Sequence, residues 1–258
     1  MKKEMRSKIV VAIIILVLLV ALGVSGYILF SKLNGDEQAE NNYKELNSQV
    51  SVEETTPKEK VEGNPINFKS LQKTNSEIFG WIYIPGTNVD YPLLQSEQSD
   101  DYYLHKDIYG KYSYAGSIYA EYCNSTELTD PVTVLYGHNM ANGSMFANLH
   151  KFEDSDFFKK HKYFYIYTPT AKRTYEIVSA YNYDDRHIMN SFNFAEKEVF
   201  KDYLSYIQNP RSSVKNVRTK LDHKLTVKDK VVTLSTCLNS GDGRYLVQGV
   251  LIKNESYE

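Results

Sequence analysis

The chain has 258 residues, a formal net charge of -2 and 42% apolar residues. That is material for one domain with appendages and a real core, without the basic excess that nucleic-acid binding requires. Its only cysteines, Cys123 and Cys237, exclude a disulfide framework and leave at most one bridge, and no set of Cys and His has the spacing of a structural zinc site.

Residues 9–30 carry no charge. At a helical rise of about 1.5 Å per residue they would cover roughly 33 Å, the thickness of a hydrocarbon core. Lys2, Lys3, Arg6 and Lys8 precede this run, opposed only by Glu4. The basic flank predicts a cytoplasmic tail over 1–8, a transmembrane anchor over 9–30 and an extracellular remainder. A cleaved signal peptide is the competing reading, with Gly23, Ser25 and Gly26 near a cleavage site, but the apolar run continues through Phe30. Residues 31–65 are dominated by Asn, Glu, Gln, Lys and Thr. They predict a solvated stalk with one short helix around 43–50, because little there can be buried to offset ordering entropy.

A folded domain is expected over 66–258. Phe68, Leu71, Ile78 and Phe79 predict a short amphipathic helix leading into a strand. Strands follow over 81–84, stopped by Pro85-Gly86, then 89–93, 116–120, 132–136, 163–168, 174–183, 231–235 and 245–252. Twenty-two tyrosines agree with pleated, half-buried surfaces. Eight short strands separated by turn residues predict a mostly β barrel or sandwich rather than a βαβ fold. Phe194, Val199, Phe200, Tyr203, Leu204 and Ile207 recur at helical intervals, with Asn193 as expected cap and Asn209-Pro210 as stop. A helix is therefore inserted ahead of the strand over 231–235.

Three residues at strand ends could carry chemistry. Cys237 closes Thr233-Leu234-Ser235-Thr236-Cys237, where a strand gives way to a loop. His138, in Tyr136-Gly137-His138-Asn139, ends the strand over 132–136 and has the side chain best suited to move protons near neutrality. Arg244 opens the last strand after the glycine-containing segment Ser240-Gly241-Asp242-Gly243, a hairpin able to fold it back toward the thiol. Taken singly, a buried inert cysteine, a surface histidine and an exposed arginine are the plainer readings. Together they supply a nucleophile, a proton carrier and a cation for an oxyanion, the minimum for acyl transfer. Arg173 and Arg218 are the arginines to weigh against Arg244. His105, His150, His161, His187 and His223 sit in polar surroundings and read as surface residues. Cys123 fits no catalytic pattern and reads as structural, while a Cys123–Cys237 disulfide would block the chemistry.

The residues around Cys237, Leu135-Tyr136-Gly137-His138-Asn139 and Arg244 resemble those of the sortase family, and more closely its class B branch. Gly80-Trp81-Ile82, Ile84-Pro85-Gly86-Thr87, Tyr91-Pro92 and Gln95 add to the resemblance, which covers roughly residues 66–253, and the helix before the cysteine strand is similar to the class B insertion. The resemblance implies a closed eight-stranded β-barrel and a cell-surface cysteine transpeptidase of a Gram-positive organism. It implies that Cys237 attacks the Thr carbonyl of a C-terminal sorting signal on a secreted protein and forms a thioester. An amine of a peptidoglycan precursor then takes the acyl group. His138 would protonate the leaving amine and later deprotonate the incoming one, and Arg244 would hold substrate and oxyanion. Asn139, Ser235 and Thr236 are implied substrate contacts, and no cofactor or metal is expected. Two other readings of the same residues are a cysteine peptidase that only hydrolyses and a noncatalytic, membrane-tethered β domain that binds a wall component.

Overall fold

A computed structural model describes residues 10, 11, 13–27, 41, 43, 45, 46 and 63–257. The helix α1 (Phe68–Thr74) opens the domain, capped by the Asn67 side chain, which accepts from the Ser70 N–H. Nine strands follow: β1 (Ile78–Tyr83), β2 (Asp90–Leu94), β3 (Ile118–Ala120), β4 (Val132–Tyr136), β5 (Tyr163–Tyr167), β6 (Ala171–Tyr183), β7 (Lys215–Val217), β8 (Val231–Cys237) and β9 (Arg244–Ser256). Between them lie α2 (Ser155–Lys160), α3 (Ile188–Ser191), α4 (Lys197–Gln208) and two 3-10 helices, Tyr102–His105 and Phe146–Glu153.

The strand order β5-β1-β2-β3-β4-β8-β9-β6, with β5 pairing back onto β6, closes the sheet into a barrel of eight strands. Closure satisfies the backbone donors and acceptors that an open edge would leave unpaired. β7 hangs outside the ring on β6. The β2–β3 and β4–β8 pairs are parallel and the others antiparallel.

Strand side chains alternate between the barrel interior and an outer face. Leu135, Val232, Leu234, Tyr245 and Val247 pack in the main core. Val132, Val134, Val231, Leu246 and Val250 form a second core with Phe200, Tyr203, Leu204 and Ile207 of α4. The inserted helix therefore lies on the outside of the barrel, across β4, β8, β9 and β6. A buried polar network fixes it: Thr233 donates to Gln248 at 2.7 Å, and the Gln248 amide donates to Tyr181 at 3.0 Å and Tyr203 at 3.2 Å.

All eight expected barrel strands form. The helix expected from Asn193 starts later, at Lys197, because the Asn193 carboxamide accepts from the Ala195 N–H and donates to Glu196, making a turn instead of a cap. The anchor expected over 9–30 is not found as a span. Among the described residues no helix is long and apolar enough to cross a membrane. Ile9, Ala12 and 28–30 lie outside the described residues, as do 1–8 and most of the expected stalk. Where the stalk is described, Tyr43 and Leu46 are buried in the main core. Tyr43 donates to the Gly116 carbonyl at 3.0 Å and meets the Tyr91 ring edge-on. This part of the stalk is thus packed on the barrel rather than solvated: one tyrosine bridges 73 residues of chain, a contact that the local polarity of 31–65 conceals.

Candidate active site

The parallel pairing of β4 with β8 brings the two motifs together. The register runs from Val132↔Val231 to Tyr136↔Ser235, and the Gly137 N–H continues it by donating to the Ser235 carbonyl at 3.1 Å. Carried one residue further, the register sets His138 level with Cys237. Gly137 permits this because a Cβ there would lie 2.5 Å from Ile118 and 2.8 Å from the Phe146 ring. Arg244 faces Cys237 directly in the β8–β9 register. The hairpin between them turns at Gly241 and Gly243, both at positive φ, and a Cβ on Gly243 would collide with the Tyr183 carbonyl at 2.6 Å. By the alternation that puts Val134, Val231 and Leu246 outside, His138, Cys237 and Arg244 all belong to the outer face at one end of the barrel.

Arg244 Nη1 lies 3.7 Å from Cys237 Sγ and donates to the Gly243 carbonyl at 3.2 Å. Cys237 is partly exposed, and both cysteines are free. His138 is half-buried and packs in a triangle of rings with His105, at 5.3 Å, and Tyr114, at 5.7 Å, which are 6.2 Å from each other. Its Nε2 is 2.8 Å from the Leu104 carbonyl, which can only accept, so Nε2 carries hydrogen and Nδ1 is left to exchange a proton. Burial pulls the His138 pKa below the ordinary 6.5; the Leu104 bond opposes this and His105 adds to it. The imidazole is thereby kept neutral near neutrality.

The remaining expected site residues sit differently. Asn139 turns its amide onto the protein itself, donating to the Cys237 carbonyl at 3.1 Å and to Asn239 Oδ1 at 2.9 Å. Ser235 and Thr236 are buried, and the Thr236 hydroxyl has no partner. Arg173 is bound to the Glu127 carbonyl and Arg218 to the Ile177 and Phe158 carbonyls. Both are thereby committed to other parts of the barrel, and Arg244 is the guanidinium that bonds to Cys237.

Four of the five histidines read as surface groups are instead half-buried, and His105 alone is exposed. His161 stacks on Phe157 at 4.1 Å, while His187 and His223 pair with Glu121 at 2.6 Å and Asp229 at 2.8 Å. His150 reaches the site: its Nε2 lies 3.0 Å from the Cys237 carbonyl and its Nδ1 2.6 Å from Glu153. The i, i+3 spacing of His150 and Glu153 was the available signal. On β3 and β4, Tyr119 and Tyr136 stack at 5.5 Å, and Tyr136 faces His187 at 6.2 Å, forming an aromatic wall. Among the described residues no cluster of His, Cys, Asp and Glu could hold a metal ion.

The sequence pattern of the Sortase domain matches residues 82–252, which include Cys237, His138 and Arg244. The chain belongs to the sortase family. Sortase B of Listeria monocytogenes is 37% identical over 187 residues, 71% of this chain and 73% of that protein. Sortase B of Staphylococcus aureus is 30% identical over 233 residues, 90% and 91% of the two chains. The crystal structure of sortase B from B. anthracis in complex with AAEK1 superposes with a TM-score of 0.66 at 31% identity, covering 87% of this chain and 97% of that one. These neighbours are class B sortases, and sortases are cysteine transpeptidases, so the noncatalytic reading falls away.

Proposed function

We propose that this sortase cleaves a C-terminal sorting signal of secreted proteins after Thr and transfers the acyl group to a peptidoglycan-precursor amine. The observation that carries it is the Cys237–Arg244 contact at 3.7 Å, with His138 ending the neighbouring strand on the same face. Cys237 passes its thiol proton to the neutral His138 as Sγ attacks the Thr carbonyl carbon, and Arg244 stabilises the oxyanion. The C–N bond breaks, His138 gives the leaving amine its proton, and a thioester remains. The incoming amine attacks the thioester, His138 takes up its proton, and the C–S bond breaks to restore the thiol. The aromatic wall of Tyr119, Tyr136 and His187 offers the surface along which a peptide lies.

The domain plan belongs to the same reading: a cytoplasmic tail over 1–8, a single-pass anchor over 9–30, a connecting segment over 31–65 and an extracellular catalytic domain over 66–258. Its support is the uncharged run and the exposure of its described apolar side chains, such as Leu19 and Leu22.

The test uses the full chain in detergent micelles with a sorting-signal peptide library and a small amine, read by mass spectrometry. A thioester on Cys237 and an amine-ligated product are expected, both lost in Cys237→Ala. Cleavage with no ligation by any amine would make the protein a hydrolase, and no adduct with any peptide would overturn the reading.

A further inference from the structure

The β4–β8 ladder stops one rung early. Its backbone bonds reach Gly137 N–H to Ser235 carbonyl, and the next rung would bring the Asn139 N–H to the Cys237 carbonyl. The Asn139 backbone has instead turned away to bridge Met145. The Cys237 carbonyl is left without that strand partner, and an unpaired partly buried carbonyl is costly. Two side chains take its place: Asn139 Nδ2 at 3.1 Å and His150 Nε2 at 3.0 Å.

His150 is itself held on two sides. Its ring stacks on Tyr245 at 4.8 Å and its Nδ1 meets Glu153 Oε1 at 2.6 Å. His150 and Glu153 sit three residues apart on the 3-10 helix Phe146–Glu153, where such positions eclipse. That helix is anchored in the core through Phe146, Leu149 and Phe152. The Cys237 carbonyl can only accept, so Nε2 supplies the hydrogen of that contact. A carboxylate behind a donor strengthens the bond in front.

We infer that His150, backed by Glu153, is a positioning residue for the nucleophile: it fixes the Cys237 main chain where the β-ladder no longer does. The inference rests on the transpeptidase reading for its purpose. Catalysis by a thiol needs the sulfur placed to within a fraction of an ångström, and displacement of about 1 Å costs about 100-fold in rate. The same clamp holds the start of the hairpin that returns Arg244 to the sulfur. His150 does not touch the substrate, and its effect runs through the backbone of Cys237.

The experiment compares the full chain with His150→Leu, His150→Gln and Glu153→Gln. It measures single-turnover thioester formation, the split between kcat and KM, and the rate of Cys237 alkylation by iodoacetamide. His150→Leu fills the space without donating, and should lower kcat about 10- to 100-fold with KM within about twofold. His150→Gln keeps an N–H donor and should recover most of the loss, and Glu153→Gln should lie between them. A His150→Leu enzyme within about twofold of the parent, or a Gln variant as slow as Leu at equal folded fraction, overturns the inference. Should the parent chain alkylate at Cys237 yet form no thioester with any peptide, the transpeptidase reading fails instead. The alkylation ratio between the Gln and Leu variants then still decides the clamp.

Discussion

Two free thiols end strands of the same barrel, and their surroundings are opposite. Cys237 follows β8 and has the Arg244 guanidinium 3.7 Å from its sulfur. Cys123 follows β3 and has the Glu121 carboxylate 3.9 Å from its sulfur. Cys123 is the more exposed of the two. Yet desolvation of its sulfur, with Glu121 and Asp100 close by, pushes its pKa up to about 11. At pH 7 only about one Cys123 in 10,000 is then a thiolate, against a few per cent for an ordinary cysteine. For Cys123, burial of the sulfur is the larger cause and the neighbouring carboxylates add to it, so a residue exposed as a whole still carries a poor nucleophile. The position of a cysteine at a strand end therefore says little until the facing residue is known.

The comparison is broken most severely by giving Cys237 the neighbour that Cys123 has. Arg244→Glu should lower thioester formation by about 100- to 1,000-fold, since it removes the oxyanion cation and adds a like charge beside the sulfur. A loss of less than about tenfold would detach Arg244 from the chemistry. The converse change, Glu121→Gln, should raise the rate at which iodoacetamide modifies Cys123 by about two- to tenfold, read by peptide mass spectrometry. An unchanged rate would mean that burial alone holds that thiol.

His138 gives a smaller effect with a definite sign. His138 should titrate below the ordinary 6.5 by NMR, and His105→Gln should move its midpoint upward. Because the folded-state pKa is depressed, the unfolded chain takes up this proton first as pH falls. Stability from His138 is thus intact above 6.5, declines between 6.5 and the lowered folded value, and is flat below it. Urea midpoints of the parent and His138→Gln should diverge only in that window. The smallest effect belongs to Cys123→Ser, for which turnover should stay within about twofold; a larger loss would give Cys123 a part in the reaction.

Much of this arrangement was legible from the residues. The barrel strands were marked by alternation and by turn residues such as Pro85-Gly86, and the helix insert by its apolar spacing. β7 was not, because Lys215–Val217 is short and polar and is a strand only by virtue of pairing with Ser179–Tyr181. Cys237, His138 and Arg244 stood out because each ends or begins a clear strand. His150 did not, since its i, i+3 spacing to Glu153 marks a pair but not what the pair serves, a main-chain carbonyl 87 residues away. Asn139 was recognised as belonging to the site, but not that its amide would be spent on Cys237 and Asn239. Tyr43 was hidden for the same reason as His150: its partners, Gly116 and Ser117, lie far along the chain.

The pairing of β4 with β8 also bears on how the protein is made. It is a parallel contact between strands about a hundred residues apart, with β5, β6, β7 and the helical insert all synthesised in between. Long-range pairs of this kind close late, because the loop entropy must be met before the contact rewards it. Cys237 and Arg244, joined by a short hairpin, can meet early, but His138 joins them only when the ring is completed. A chain still folding therefore carries Cys237 without His138 beside it, and completes the face that holds Cys237, His138 and Arg244 at the same step at which it becomes a barrel.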